Sequence, residues 1–219
     1  MRTLLSFILT AAFPSAAQNI HGGDYSKHHT PGSSHEYAKM LEDPERDAWQ
    51  KPHEVVEALD IRPGWTVADI GAGTGYFALR LAHRVGPQGK VLAVDIDSEI
   101  LAHLRQRAVE QKATNVEEVA AAEDDPRLRP ASVDLIFICD VAHHIDKRPA
   151  YYKLLAAALK PGGRVAIIDF HKRPLPVGPP EKMKVAREET IREFEQAGFR
   201  LAGEKTFLPH QYFLLFEAK

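Results

Sequence analysis

Five residues carry the strongest chemical signal in this chain: Asp69, Gly71, Gly73, Gly75 and Asp95. Val67-Ala68-Asp69-Ile70 is an apolar run broken by one carboxylate, and three alternating glycines follow it. Glycine has no Cβ and accepts positive φ, so such a bend lets a ligand approach the backbone, and the helix that starts behind it offers unpaired N–H groups. A dinucleotide fingerprint requires G-x-G-x-x-G. Here the spacing is G-x-G-x-G, and Tyr76 stands where the third glycine of that fingerprint belongs. A carboxylate two residues before the first glycine would also repel a pyrophosphate, whereas it suits a ligand with an ammonium group. Asp95 ends the next apolar run, 20 residues after Gly75, where an acid can accept from both hydroxyls of a ribose. Ile96 would then lie against the base. The pattern describes a nucleoside with a positively charged end.

A second group follows a later apolar run: Asp140-Val141-Ala142-His143-His144. Ligands of open α/β sheets sit beyond the carboxyl ends of the strands. Asp140 is therefore expected at the cofactor, and His143 or His144 beside the acceptor, where an imidazole titrating near neutrality can take a proton. Holding the loop by hydrogen bonds is the other role open to the two histidines. Asp140, Asp169 and His171 have the chemistry of a divalent-cation site, but acidic strand ends are common without metal and none is expected. His21, His28, His29 and His35 match no compact metal-ligand spacing and read as a solvated tail.

These residues need a frame, and the sequence alternates strand and helix patterns to supply one. Strands are expected at residues 65–70, 90–95, 115–121, 132–139 and 164–169, and a closing hairpin at 201–207 and 212–216. Helices are expected at 52–59, 74–85, 98–111, 149–159 and 187–197, with Asp97 or Ser98 as cap for the third. The second strand, Val91-Leu92-Ala93-Val94, is apolar throughout, as a strand buried on both faces should be. Alternating strands and helices with short links build right-handed βαβ units. Residues 171–180 are proline-rich and read as a small lid at most.

With 219 residues, 44% of them hydrophobic, the chain can bury one full core and gives no reason for two large domains. A formal charge of −2 provides no global basic surface, so nucleic acid is not the expected partner. The single cysteine, Cys139, lies in an apolar run, where a buried, inert thiol is the expected role. Residues 1–17 read as a secretory signal peptide, too short for a stable membrane span; if cleaved, the protein is exported or periplasmic, and otherwise cytoplasmic. Residues 18–50 are polar and His-rich, a linker or a cover for the cofactor cleft through Tyr37, Met40, Leu41 and Trp49. Residues 51–219 form the domain. Oligomeric state has no signal here.

The stretch from Asp69 to Gly75 resembles motif I of the class I S-adenosylmethionine (SAM)-dependent methyltransferases, in which an acid at the strand end faces the methionine moiety. Leu159-Lys160-Pro161-Gly162-Gly163 and Ala197-Gly198-Phe199 are similar to further landmarks of that superfamily, and the resemblance covers residues 52–219. It implies a Rossmann-like α/β sheet of seven strands in the order 3-2-1-4-5-7-6, with the last strand antiparallel and helices on both faces. It also implies SAM as cofactor, with Glu123 or Asp124 against the adenine amino group and Asp140 bordering the methyl group. The histidine pair resembles small-molecule methyltransferases related to the ubiquinone-pathway enzymes, which implies a small-molecule acceptor. From Trp49-Gln50-Lys51-Pro52 onward the run resembles a bacterial group with exported-type leaders. Rival readings are a polyamine synthase, against which the lack of an Asp-rich loop after strand four counts, and an exported, non-catalytic SAM- or nucleoside-binding module.

Overall fold

The computed structural model describes residues 34–219, with side chains from residue 38 onward. The proposed leader, His21, His28 and His29 lie outside the described residues, as do the side chains of His35 and Tyr37. Seven strands form one sheet: β1 (Thr66–Ile70), β2 (Lys90–Asp95), β3 (Val116–Ala120), β4 (Val133–Cys139), β5 (Leu159–Phe170), β6 (Phe199–Lys205) and β7 (Gln211–Ala218). Their order is β3-β2-β1-β4-β5-β7-β6, and β7 runs antiparallel to both of its neighbours. The expected strand order and the antiparallel last strand are both present.

Among the described residues seven α-helices accompany the sheet: α1 (Ser34–Leu41), α2 (Arg46–Gln50), α3 (Pro52–Ala58), α4 (Ala78–Val85), α5 (Ser98–Glu110), α6 (Arg148–Ala158) and α7 (Arg187–Gln196). Side chains alternate across a strand, and β4 shows the result. Leu135, Phe137 and Cys139 join the core under α3, α4 and α5, while Ile136 and Ile138 join the one under α6 and α7. A strand buried on both faces must be apolar at every position, which is why Leu135-Ile136-Phe137-Ile138 has no polar member.

Several boundaries depart from the sequence reading. α4 begins at Ala78 rather than residue 74, because Gly73 (φ 55°) and Gly75 (φ 87°) hold the chain in left-handed turns that no α-helix tolerates. β5 begins at Leu159, five residues before the expected start. Its Pro-Gly-Gly segment is a bulge within the strand, with pairing that steps from Val133–Leu159 to Leu135–Arg164. Asp97 is the cap of α5, its side chain accepting from the backbone N–H groups of Glu99 and Ile100. Among the described residues no helix is long and apolar enough to cross a membrane.

Phe194 anchors α7 on the sheet. Its ring stacks on Tyr152 at 4.0 Å and on Phe216 at 4.2 Å, and meets the edge of Phe199 at 5.3 Å. Phe194→Ala leaves a cavity that none of these rigid rings can fill. The expected loss is about 3–5 kcal/mol, read as a lower urea midpoint with unchanged slope.

Candidate functional site

The glycine bend is built by two sets of backbone contacts at the carboxyl edge of β1 and β2. The N–H groups of Gly71 and Ala72 both donate to the Val94 carbonyl, at 2.8 and 3.0 Å. Gly73 N–H donates to Asp95 Oδ2 at 2.9 Å, and Asp97 N–H to Asp95 Oδ1 at 3.0 Å. Gly71 has φ 69°, and a Cβ there would lie 2.2 Å from Val141 Cγ2, so only glycine fits. Gly75 departs from its expected role. It does not line the cleft, since its Cα faces Leu104 and Leu79, 3.1 and 3.3 Å from where a Cβ would sit. Its glycine is needed to bring α5 close.

Beyond the bend opens a cleft of about 1010 Å³, the upper end of the roughly 300–1,000 Å³ usual for small-molecule sites. Asp69, Gly71, Gly73, Asp95, Ile96 and Asp140 line it, as do Glu123, Asp124, His143 and His144. Glu123 and Asp124 are exposed at the rim, in the turn after β3. Ile96 is 46% exposed, an apolar side chain held open toward solvent at the mouth.

Asp69 is the outlier. Three buried side-chain polar atoms, Asp69 Oδ2, Tyr152 Oη and Arg164 Nε, lack a hydrogen-bond partner among the described residues, and of these three residues Asp69 lines the cleft. Burial, reinforced by Asp95, pushes its carboxyl up to about 8. A buried charge without a partner is costly, and a cation placed in the cleft would reverse that cost.

At the tip of the neighbouring strand β4 stands a polar ring drawn from distant parts of the chain. Asp140 directly follows β4 and has φ 61°. It accepts from the Gln211 amide and, at 3.4 Å, from Arg46 Nη2. Gln211 accepts in turn from Gln50 Nε2 at 2.9 Å, both residues being buried. Burial pushes Asp140 up to about 6 despite Arg46. Next to it, His143 Nδ1 lies 3.0 and 3.1 Å from the two oxygens of Asp169, a carboxylate with no exposed surface that also accepts from Phe170 N–H. Burial pulls the His143 pKa down, but Asp169 and Asp140 outweigh it and raise it above its ordinary value. His144 is exposed, its ring 4.2 Å from that of His143. Asp140, Asp169 and His171 do not converge: Asp169 turns to His143, and His171 lies outside the cleft lining with its ring 6.1 Å from Tyr212. No group of three or more His, Cys, Asp or Glu residues able to hold a metal exists among the described residues.

Sequence reasoning missed Arg46, Gln50, Gln211 and the Asp169–His143 pairing. Only the strand-end position of Asp169 was visible. Nothing in a lone arginine or a glutamine in a strand pattern announces a partner more than 90 residues away.

The model of a methyltransferase domain family matches residues 61–203. The chain belongs to the class I SAM-dependent methyltransferases. A SAM-dependent methyltransferase from Aquifex aeolicus has a similar structure, with TM-score 0.79 and 27% identity over 83% of this chain and 96% of that one. A TehB-like SAM-dependent methyltransferase from Corynebacterium glutamicum shares the fold at TM-score 0.67 and 17% identity, over 86% of this chain and 100% of that one. The ubiquinone/menaquinone biosynthesis C-methyltransferase UbiE of Brucella anthropi is 37% identical over 53% of this chain and 44% of its own; that of Brucella suis is 33% identical over 65% and 52%. The chain spans about half the length of these curated relatives. The cofactor of a class I SAM-dependent methyltransferase is SAM, and the cleft fits it: a buried carboxylate with one oxygen lacking a hydrogen-bond donor among the described residues matches an ammonium, and Gly71 and Gly73 line the cleft with backbone free of side chains.

Because Asp69 titrates higher in the fold than unfolded, folding takes up a proton between pH 4 and 8, so ionisation costs stability as pH rises. Asp69→Asn removes that cost. In ligand-free protein its melting temperature should exceed wild type at pH 8, and the gap should close toward pH 4. A gap independent of pH would contradict this account of Asp69.

Proposed function

We propose that this protein transfers the methyl group of SAM to a small-molecule acceptor. The carrying observation is that Asp69, a buried carboxylate with one oxygen lacking a hydrogen-bond donor among the described residues, lines the same cleft as Asp95, Gly71 and Gly73. In this reading Asp69 receives the ammonium and Asp95 the ribose hydroxyls. Gly71 and Gly73 let the ligand lie on backbone, Ile96 covers the base, Glu123 or Asp124 meets the adenine amino group, and Asp140 borders the reacting end. When bound, SAM supplies a methyl group already activated by the sulfonium charge, so the protein's main task is alignment and exclusion of water. Relatives named for C-methylation in ubiquinone/menaquinone biosynthesis, a cleft of this volume and the absence of net positive charge support a small organic acceptor.

The pairing of His143 with Asp169 favours an acceptor that must lose a proton. A carboxylate on Nδ1 holds that nitrogen protonated and leaves Nε2 as the basic atom. His143 then takes the acceptor's proton at Nε2 as the methyl group arrives, and Asp169 stabilises the imidazolium. A soft nucleophile such as a thiol would need neither.

Calorimetry with SAM, S-adenosylhomocysteine and NAD tests the cofactor assignment. Both sulfur compounds should bind and NAD should not; the reverse would end this reading. For proton transfer, His143→Ala should lower turnover of a protic acceptor by about 100-fold while S-adenosylhomocysteine still binds. The neutral imidazole is the active form, so the rate should rise with pH through the raised His143 value. Asp169→Asn, by removing the charge that raises it, should move that rise to lower pH; an unmoved profile assigns Asp169 to structure alone.

A further inference from the structure

Arg46 is the unusual cation of the cleft. The lining carries seven carboxylates, Asp69, Asp95, Asp97, Glu123, Asp124, Asp140 and Asp146, against two lysine or arginine side chains, Arg46 and Lys147. Lys147 is exposed, whereas the Arg46 side chain is only 13% exposed. It stands close enough to Asp69 and Asp140 to favour the charged form of both. Its guanidinium lies over the Tyr76 ring, 4.1 Å from the centroid.

The bonds that position this guanidinium do not saturate it. Its nitrogens reach Gln50 Oε1 at 3.4 and 3.3 Å, the Leu41 carbonyl at 3.4 Å and Asp140 at 3.4 Å. Charge-assisted bonds of this type close to about 2.7–2.9 Å when fully formed. The fork is thus oriented by four long contacts and stacked on a ring, with capacity left for a stronger acceptor. An arginine fork matches a carboxylate bidentately.

We propose that Arg46 is the receptor for the α-carboxylate of the bound cofactor, so that the cleft grips an α-amino acid end by opposed charges, Asp69 on the ammonium and Arg46 on the carboxylate. The proposal rests on the nucleoside reading above and extends it to a residue outside the glycine bend. It also gives the N-terminal segment a task. Arg46 enters from α2, which is latched to the domain by the Gln50–Gln211 bond and by the Tyr76 hydroxyl donating to Asp47. Docking of α2 therefore completes the amino acid subsite.

Three probes separate the charges: S-adenosylhomocysteine carries both groups, its decarboxylated analogue carries the amine alone, and methylthioadenosine carries neither. In calorimetric titrations Arg46→Met should weaken S-adenosylhomocysteine by about 10- to 100-fold and leave the other two probes unchanged. Arg46→Lys, which keeps the charge without the fork, should recover part of the loss. Asp69→Asn should weaken both amine-bearing probes and spare methylthioadenosine. Equal weakening of all three by Arg46→Met, or of none, overturns the assignment, the former showing that Arg46 only holds the segment in place. If wild type binds none of the three, the nucleoside reading itself falls and this assignment with it.

Discussion

A carboxylate withdrawn from water must find a cation, a set of donors or a proton. Asp69 sits where β1 ends, behind a bend that buries it; one of its oxygens has no hydrogen-bond partner among the described residues, and burial pushes the carboxyl toward its protonated form. The neighbouring strand tip adds Asp95, whose charge makes ionisation of Asp69 harder. The cleft is in this sense held incomplete. It concentrates negative charge at one edge of the sheet, and the ligand best able to relieve it brings a positive end.

The rest of the fold keeps that edge rigid. Because β1 and β4 are central and covered on both faces, the strand tips cannot drift apart without opening one of the two cores. The bend is tied to β2 by the Val94 carbonyl and to Asp95 by Gly73 N–H. Asp95 thus has a structural role and a cleft-facing one together, since its oxygens accept backbone bonds while the side chain lines the cavity. In the proposed reading, a residue used twice in this way would tie the ligand's pose to the backbone geometry itself, the condition for methyl transfer by alignment.

The polar ring at the tip of β4 is assembled differently. Arg46, Gln50, Asp140 and Gln211 come from α2, the end of β4 and the start of β7, and their side chains form a closed chain of polar contacts. Asp140 holds a left-handed backbone conformation that non-glycine residues rarely adopt, and its bonds to Gln211 and Arg46 keep it there. His143 is set by Asp169 one strand over. This ring depends on tertiary closure, whereas the glycine bend depends on local chain chemistry.

That contrast separates what was legible in the sequence from what was not. Strand and helix order followed from apolar runs and their punctuation, because burial on two faces demands uninterrupted hydrophobes and turns demand Gly and Pro. The acid before the bend, the acid one strand later and the need for glycine at 71 and 73 were readable because those constraints act over a few residues. The packing of Gly75 was not legible, since alternate glycines look alike in sequence and only the tertiary structure shows which of them meets α5. The bulge that lengthens β5 was likewise hidden, because it is set by register against β4. Arg46, Gln50, Gln211 and the partner of His143 were decided by tertiary structure alone. A polar side chain has no periodicity to betray its partner, and hydrogen bonds across a chain this long form only after the cores have brought their ends together.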